Sequence, residues 1–319
     1  MQKAIYVELV TSLDHYGTSS LALLDFDYFV FPGGEVHVKF KDFNLKVAHA
    51  LAQPHVASGP HSIGFRINAL VRNSNDLMAV ALLKDALETS WSNASQRSTW
   101  PSPEIHLELP YVPYARQDRA EIQGEPFSLR VFANMLNSLK FDKVIIADPH
   151  STVTPALIHN CLVIPQWTLA FSVLLPEIRD FEGRFHIVAP DAGAQKKAER
   201  FHKYAEKQLA GVKSELYVAT KHRDPATGEI HNTTLPESFN QDAVQGSDVV
   251  LVLDDICDGG RTFLELADAI DRTGVKAEKW LYVTHGIFSK GREVLEQKYQ
   301  KVLSMFDWTD FSNSTSKVK

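Results

Sequence analysis

The chain has 319 residues, 44% of them hydrophobic and 23% charged, the balance of a folded globular protein. Its net charge of −6 offers no basic stripe to a nucleic-acid backbone, which excludes nucleic acid as the main partner. Two cysteines, Cys161 and Cys257, cannot build a disulfide framework or a zinc cluster and suit a reducing, cytoplasmic setting.

The N-terminal "MQKAIYVELV" carries neither a long apolar stretch nor a cleavage site, and no apolar run approaches the ~18–20 residues of a membrane span. A protein without membrane contact is expected. In chain order, short apolar runs read as strands: "AIYVELV", "IGFRINALV", "EIHLELPYV", "KVIIADP", "RFHIVAPD", "SELYVAT", "DVVLVLDD" and "KWLYVTHG". Helical spacing marks "DLMAVALLKDALETSW", "PFSLRVFANMLNSL" and "AQKKAERFHKYAEKQLA". Strands alternating with amphipathic helices predict an α/β protein with mostly parallel sheets. The two halves resemble each other loosely, which predicts two related domains, 1–155 and 156–319. The segment 221–246 is long, polar and without apolar periodicity, and reads as a loop.

Four strand runs end in polar tips: Asp148, Asp191, Asp254 with Asp255, and Thr284 with His285. Open α/β sheets bind ligands at the carboxyl ends of their strands, so chemistry is expected at these tips. The run "VVLVLDDICDGGRTF" is the most informative. Val249 to Leu253 reads as a strand buried on both faces, and Phe263, Leu266, Ala267 and Ile270 have helical spacing. The residues between them form a strand-to-helix turn, where backbone N–H groups and the helix end can hold a phosphate. Asp258 could instead simply cap the helix. Capping needs one such residue, whereas three aspartates and a threonine flank Gly259 and Gly260. Asp254 and Asp255 would repel a phosphate and suit ribose hydroxyls or a metal-bound diol; Gly259, Gly260, Arg261 and Thr262 suit the phosphate.

"IIADPH" ends in His150, and "VAPDAGAQKKAERF" places Asp191 and Gly193 at the start of a basic helix. A structural histidine and a capping aspartate are the plain readings; beside a phosphate turn the two would also suit Mg²⁺, which takes few protein ligands and completes its shell with phosphate oxygens. "PYVPYARQDRAEIQGEPFS" sets Arg116, Gln117 and Arg119 beside Tyr111 and Tyr114, either a solvated loop or a site for a triphosphate and a purine. "FVFPGGEVHVKF" places Phe31 and Glu35 around a Gly-Gly hairpin turn.

Taken together and in this order, these segments resemble the ribose-phosphate pyrophosphokinases over almost the whole chain. The resemblance implies two phosphoribosyltransferase-type (type I) domains, with ATP bound in the first and ribose phosphate in the second. It implies ATP contacts from Phe31, Glu35, Arg116 and Gln117, and Mg²⁺ contacts from His150 and Asp191. Asp254 and Asp255 would hold ribose hydroxyls, Asp258 to Thr262 the 5-phosphate, and Lys221 and Arg223 would act from a flexible catalytic loop. The implied reaction is attack of the ribose 1-hydroxyl on the β-phosphorus of ATP in a homo-oligomeric enzyme. The sequence departs from the family pattern at Gly33, at Pro149, Val153 and Pro155, and at Arg261, which replaces a glycine of the phosphate loop. Arg261 would suit a 5-diphosphate, so ADP-ribose in NAD salvage is the alternative acceptor. A non-catalytic, synthetase-associated subunit is a further alternative, although the implied loop cations and metal contacts are all present.

Overall fold

A computed structural model of the chain describes residues 4–13, 17–52, 63–93, 102–179, 181–208, 213–223 and 230–309. The chain forms two compact units, the first running to Val163 and the second from Ile164 to Thr309.

The first unit is built on a sheet of order β2-β1-β5-β6-β7-β8. Its strands are β1 (Ile5–Leu13), β2 (Gly17–Leu24), β5 (Ile63–Ala69), β6 (Glu104–Leu109), β7 (Lys143–Ala147) and β8 (Cys161–Ile164). β1 runs antiparallel to β2 and β5, while β5, β6 and β7 are parallel. Helices α1 (Phe43–Leu51), α2 (Ser74–Ser92) and α3 (Ser128–Ser138) supply the apolar cover, with Val47, Val80, Leu83, Leu129 and Phe132 in one core with Val7, Phe65 and Ile67. Asn73 starts α2 by accepting from the Asp76 N–H at 3.0 Å, as a capping side chain should. A separate hairpin, β3 (Phe26–Val30) with β4 (Val36–Phe40), turns through residues 31–35, where Gly34 has φ 92°. A side chain is strained at that φ, which accounts for the glycine.

The first unit ends eight residues beyond 155 because the short helix α4 (Val153–Leu157) and all but the last residue of β8 belong to it. Asn137 on α3 stitches this segment down, donating to the Leu157 carbonyl and accepting from the His159 N–H, both at 2.9 Å.

The second unit carries a wholly parallel sheet of order β10-β9-β13-β14-β15. The strands are β9 (Phe185–Ala189), β10 (Ser214–Val218), β13 (Val249–Cys257), β14 (Glu278–Gly286) and β15 (Lys301–Asp307). Helices α5 (Gln166–Ile178) and α6 (Ala192–Gln208) cover one face. Helix α7 (Arg261–Arg272) covers the other, and α8 (Glu293–Glu296) is a single turn before β15. Val249 to Leu253 are each at most 1% exposed, as expected for a strand covered on both faces, and each contributes about 1.5–3 kcal/mol of burial. No helix among the described residues is long and apolar enough to cross a membrane.

One expectation is corrected. Residues 221–246 are not one open loop. Thr220–Arg223 (β11) pairs antiparallel with the β-branched run Ile230–Thr234 (β12). Farther on, Phe239 and Val244 are 2% exposed and anchor the remainder to the core, while residues 224–229 lie outside those described. Thr284 and His285 stand at the carboxyl end of β14, directly before Gly286. Both lie inside β14, at most 1% exposed, with His285 stacked on Phe306 at 5.6 Å.

A buried pair closes the amino end of this sheet. The Asp248 carboxylate accepts from Arg184 N at 3.1 Å and Gln245 N at 2.8 Å, and meets His186 Nε2 at 3.1 Å. Burial alone would push this carboxyl up; those three partners outweigh it and hold it below its ordinary value of 3.8. A depressed folded value means that the stabilisation is full above 3.8 and is lost as pH falls through the folded value. Asp248→Ala should therefore cost about 2–3 kcal/mol at neutral pH. The gap to wild type in urea melts should narrow below pH 3.8. A gap that stays constant with pH would show that packing, not the charge, is what the carboxylate supplies.

Candidate active site

The order of the parallel sheet sets the place of the site. From β9 the chain crosses through α6 to β10 on one side, and from β13 it crosses through α7 to β14 on the other. The switch point is therefore the gap between the carboxyl ends of β9 and β13, where an α/β sheet leaves a crevice. β13 pairs with β9 only as far as Val252 but stays beside β14 as far as Cys257. Asp254 and Asp255 thus stand beyond the last β9 contact, at the mouth of the crevice, with Asp191 just past the end of β9.

The three carboxylates are handled differently. Asp191 Oδ1 accepts from the N–H groups of Gly193 and Ala194, at 3.0 and 3.1 Å, so it caps α6. Asp255 is buried, and its Oδ2 lies 2.9 Å from Lys197 Nζ on α6. Asp254 is half-buried, and its Oδ1 accepts from the Asp255 N–H at 2.9 Å. Burial, then the charges of Asp255 and Asp191, push the Asp254 carboxyl well above the usual carboxylate range; the Asp255 N–H and Lys197 pull it part of the way back.

The turn that follows is clamped from outside. Ile287 N donates to the Cys257 carbonyl at 2.8 Å and Ser289 N to the Asp258 carbonyl at 3.1 Å. Ser289 Oγ donates to Asp258 Oδ1 at 2.6 Å. Asp258 is therefore tied to the neighbouring turn. The capping position belongs to Gly260, at φ 78°, with no side-chain cap. The helix start keeps donor N–H groups there, the arrangement suited to an anion. Burial first, then Asp254 and Asp258, push the Cys257 thiol up to about 12, so it is a packed neutral side chain. The stem of Lys290 passes 3.8 Å from the point where a Cβ on Gly259 would sit. Arg261 turns along the helix, its Nε 2.7 Å from Glu265 Oε1, and its side chain is 70% exposed. Thr262 is half-buried on the first turn of α7.

The remaining expected residues are placed as follows. Phe31 and Glu35 lie at the exposed end of the β3–β4 hairpin, linked through Phe31 N to Glu35 O at 2.8 Å, with Phe31 against Phe29 and His37. Arg116 and Gln117 are exposed on the loop after β6, at the carboxyl edge of the first sheet. Buried Val112 and Ala115 anchor that loop, and Tyr114 sits at φ 63°. His150 is exposed just after β7, beyond a buried Asp148 at φ 40°. His150 belongs to the first unit and Asp191 to the second. Lys221 and Arg223 lie on β11; their side chains fall outside the described residues.

The structure thus gathers Asp191, Asp254, Asp255 and the 258–262 turn around one crevice. Sequence reading missed Lys197, Ser289 and Lys290. The signal for Lys197 was its position in α6, six residues after Asp191 and next to the buried Ala198. Ser289 and Lys290 gave none, since they reach the turn only through the pairing of β13 with β14. Among the described residues, no group of three or more His, Cys, Asp or Glu side chains can enclose a metal ion by itself. The excess of carboxylates at the crevice nevertheless fits a divalent cation whose shell is completed by phosphate oxygens.

Fold and crevice together define a phosphoribosyltransferase-type α/β protein, and residues 174–316 match the family model "Phosphoribosyl transferase domain". A ribose-phosphate pyrophosphokinase of Maricaulis maris is 30% identical over 262 residues, covering 80% of this chain and 75% of that protein. The chain belongs to the ribose-phosphate pyrophosphokinase family. The Bradyrhizobium diazoefficiens ribose-phosphate pyrophosphokinase is 30% identical over 237 residues, and the one from Pyrococcus abyssi 28% over 192. The chain spans 65% and 59% of their lengths, under two thirds of each. The crystal structure of phosphoribosylpyrophosphate synthetase from Mycobacterium smegmatis shares the fold, with TM-score 0.57 and 19% identity over 83% of this chain and 74% of that one.

The two glycines of the turn should respond differently to substitution. A Cβ on Gly260 would meet Leu295 at 3.2 Å and force a side chain to φ 78°, whereas one on Gly259 has only ordinary contact with Lys290. Gly260→Ala should cost about 1–2 kcal/mol in thermal or urea melts, and Gly259→Ala under about 0.5. Equal losses would mean that the turn is not as tightly specified as its geometry requires.

Proposed function

We propose that the protein transfers the diphosphate of Mg-ATP to the 1-hydroxyl of ribose 5-phosphate, giving phosphoribosyl pyrophosphate and AMP. The observation that carries this reading is the crevice at the β9/β13 switch point, where an acid pair is followed five residues on by a helix start with Gly260 at its capping position. Asp254 and Asp255 would accept from the vicinal ribose hydroxyls, and the N–H groups of Gly259 to Thr262 would hold the 5-phosphate. Phe31 and Glu35 would contact the adenine end of ATP, and Arg116 and Gln117 its polar remainder. His150 and Asp191 would hold Mg²⁺, whose chemistry is to neutralise the phosphate oxygens and polarise the β-phosphorus.

The bond that forms is between the ribose O1 and Pβ; the bond that breaks is the Pα–O–Pβ bridge on its β side, so AMP leaves with the bridging oxygen. The hydroxyl proton is released. No protein nucleophile is required, because positioning and charge neutralisation suffice for this transfer. Lys221 and Arg223 would bear on charge that develops as the diphosphate moves. The names of the relatives support the same activity. Arg261 points along the helix to Glu265, which fits ribose 5-phosphate as acceptor without calling on its guanidinium.

Incubation with Mg-ATP and either ribose 5-phosphate or ADP-ribose, following AMP release, tests the reading. Ribose 5-phosphate should be the better acceptor by kcat/KM; turnover on ADP-ribose alone would overturn the choice, and none on either would overturn the activity. Lys221→Ala or Arg223→Ala should each lower kcat by about 10²-fold with ATP affinity nearly unchanged, the scale of losing one preorganised charge donor. Wild-type kcat in both would remove these cations from the mechanism. For Asp191, Asn preserves the cap, so Asp191→Asn should leave the melting temperature close to wild type while raising the Mg²⁺ needed for half-maximal rate. An unmoved Mg²⁺ titration would leave Asp191 as a cap alone.

A further inference from the structure

Strand alternation sends the two acids of the pair to opposite faces of the sheet. Val249, Leu251 and Leu253 pack with Ala194, Ala198 and Phe201 of α6, while Val250 and Val252 pack with the α7 side. Asp255 follows the first set and arrives under α6, where Lys197 meets it at 2.9 Å. The Asp255 and Lys197 side chains are only 9% and 23% exposed, so this pair is not one of the solvent-screened surface bridges that contribute little. Lys197 also lies within electrostatic reach of Asp254.

That placement matters for an acceptor carrying a phosphate. Two carboxylates useful for ribose hydroxyls would repel a phosphate held one turn away, unless their charge is offset. Lys197 does this from the α6 face: it meets Oδ2 of Asp255, while the Asp255 N–H donates to Oδ1 of Asp254. We propose that Lys197 is a positioning residue that orients the Asp255 carboxylate and offsets the charge of the acid pair, and so determines acceptor affinity. This rests on the reading of residues 254–262 as the acceptor site. The competing role is a staple that merely ties α6 to β13.

The two roles separate in steady-state kinetics and melting curves of wild type, Lys197→Met and Lys197→Arg. The Met variant should raise KM for ribose 5-phosphate about tenfold or more, the scale of losing a charge-assisted hydrogen bond. KM for ATP should stay within about twofold, and the Arg variant, which keeps the charge, should recover most of the loss. Lys197→Gln keeps a hydrogen-bond donor without the charge; it should show the same rise and serves if the Met variant does not fold. A lowered melting temperature with unmoved acceptor KM identifies a staple and overturns the proposal, as does an equal rise in both KM values. Wild type that releases no AMP with ribose 5-phosphate overturns the acceptor reading and this proposal together. Wild-type turnover with an unmoved acceptor KM in the variants overturns this proposal alone.

Discussion

β13 has to satisfy two incompatible neighbours. Its first five residues are sealed on both faces between α5 and α6 on one side and α7 on the other, so they can only be apolar. Its last residues lose β9 as a partner after Val252 and face an open crevice, so they can be polar. The chemistry of the second unit is concentrated where that change of environment falls, between Leu253 and Asp254. The buried run fixes the strand in register, and the register in turn fixes where each aspartate emerges.

Charge is the second constraint. Asp191, Asp254 and Asp255 converge at the crevice, and isolated burial of carboxylates is costly. Each is held by a different device: a helix start for Asp191, a neighbouring backbone N–H for Asp254 and an ammonium for Asp255. At the same crevice Gly260 holds the capping position of α7, and Ser289 ties Asp258 to the neighbouring turn. Negative side chains and the N–H groups of a helix start thus lie a few residues apart. That combination suits a ligand with hydroxyls at one end and phosphate at the other.

Much of this could be read from the chain. The runs around Ile5, Ile63, Glu104, Lys143, Phe185 and Val249 became strands because their apolar patterns are set by burial in a sheet. Elements without such a pattern were not legible. β2 carries serines among its apolar residues, and α5 is interrupted in pattern by Pro176 and apolar on several sides. The β11–β12 hairpin was hidden because its sequence is polar; its pairing is made by the backbone. The polar end of β14 was legible, but not that Thr284 and His285 are buried there, His285 against Phe306.

The sequence by itself determined that a buried strand ends in two aspartates, a glycine turn and an amphipathic helix, because hydrophobic periodicity and the freedom of glycine are local properties. It also determined the family, since the order of its motifs along the chain survives without coordinates. Only the tertiary structure decided that Arg261 pairs with Glu265, that Gly260 rather than Asp258 occupies the capping position, and that Lys197 meets Asp255. Which partner a charged side chain finds depends on the crossing of α6 over β13 and the pairing of β13 with β14. Those are contacts between residues tens of positions apart, which no local pattern encodes.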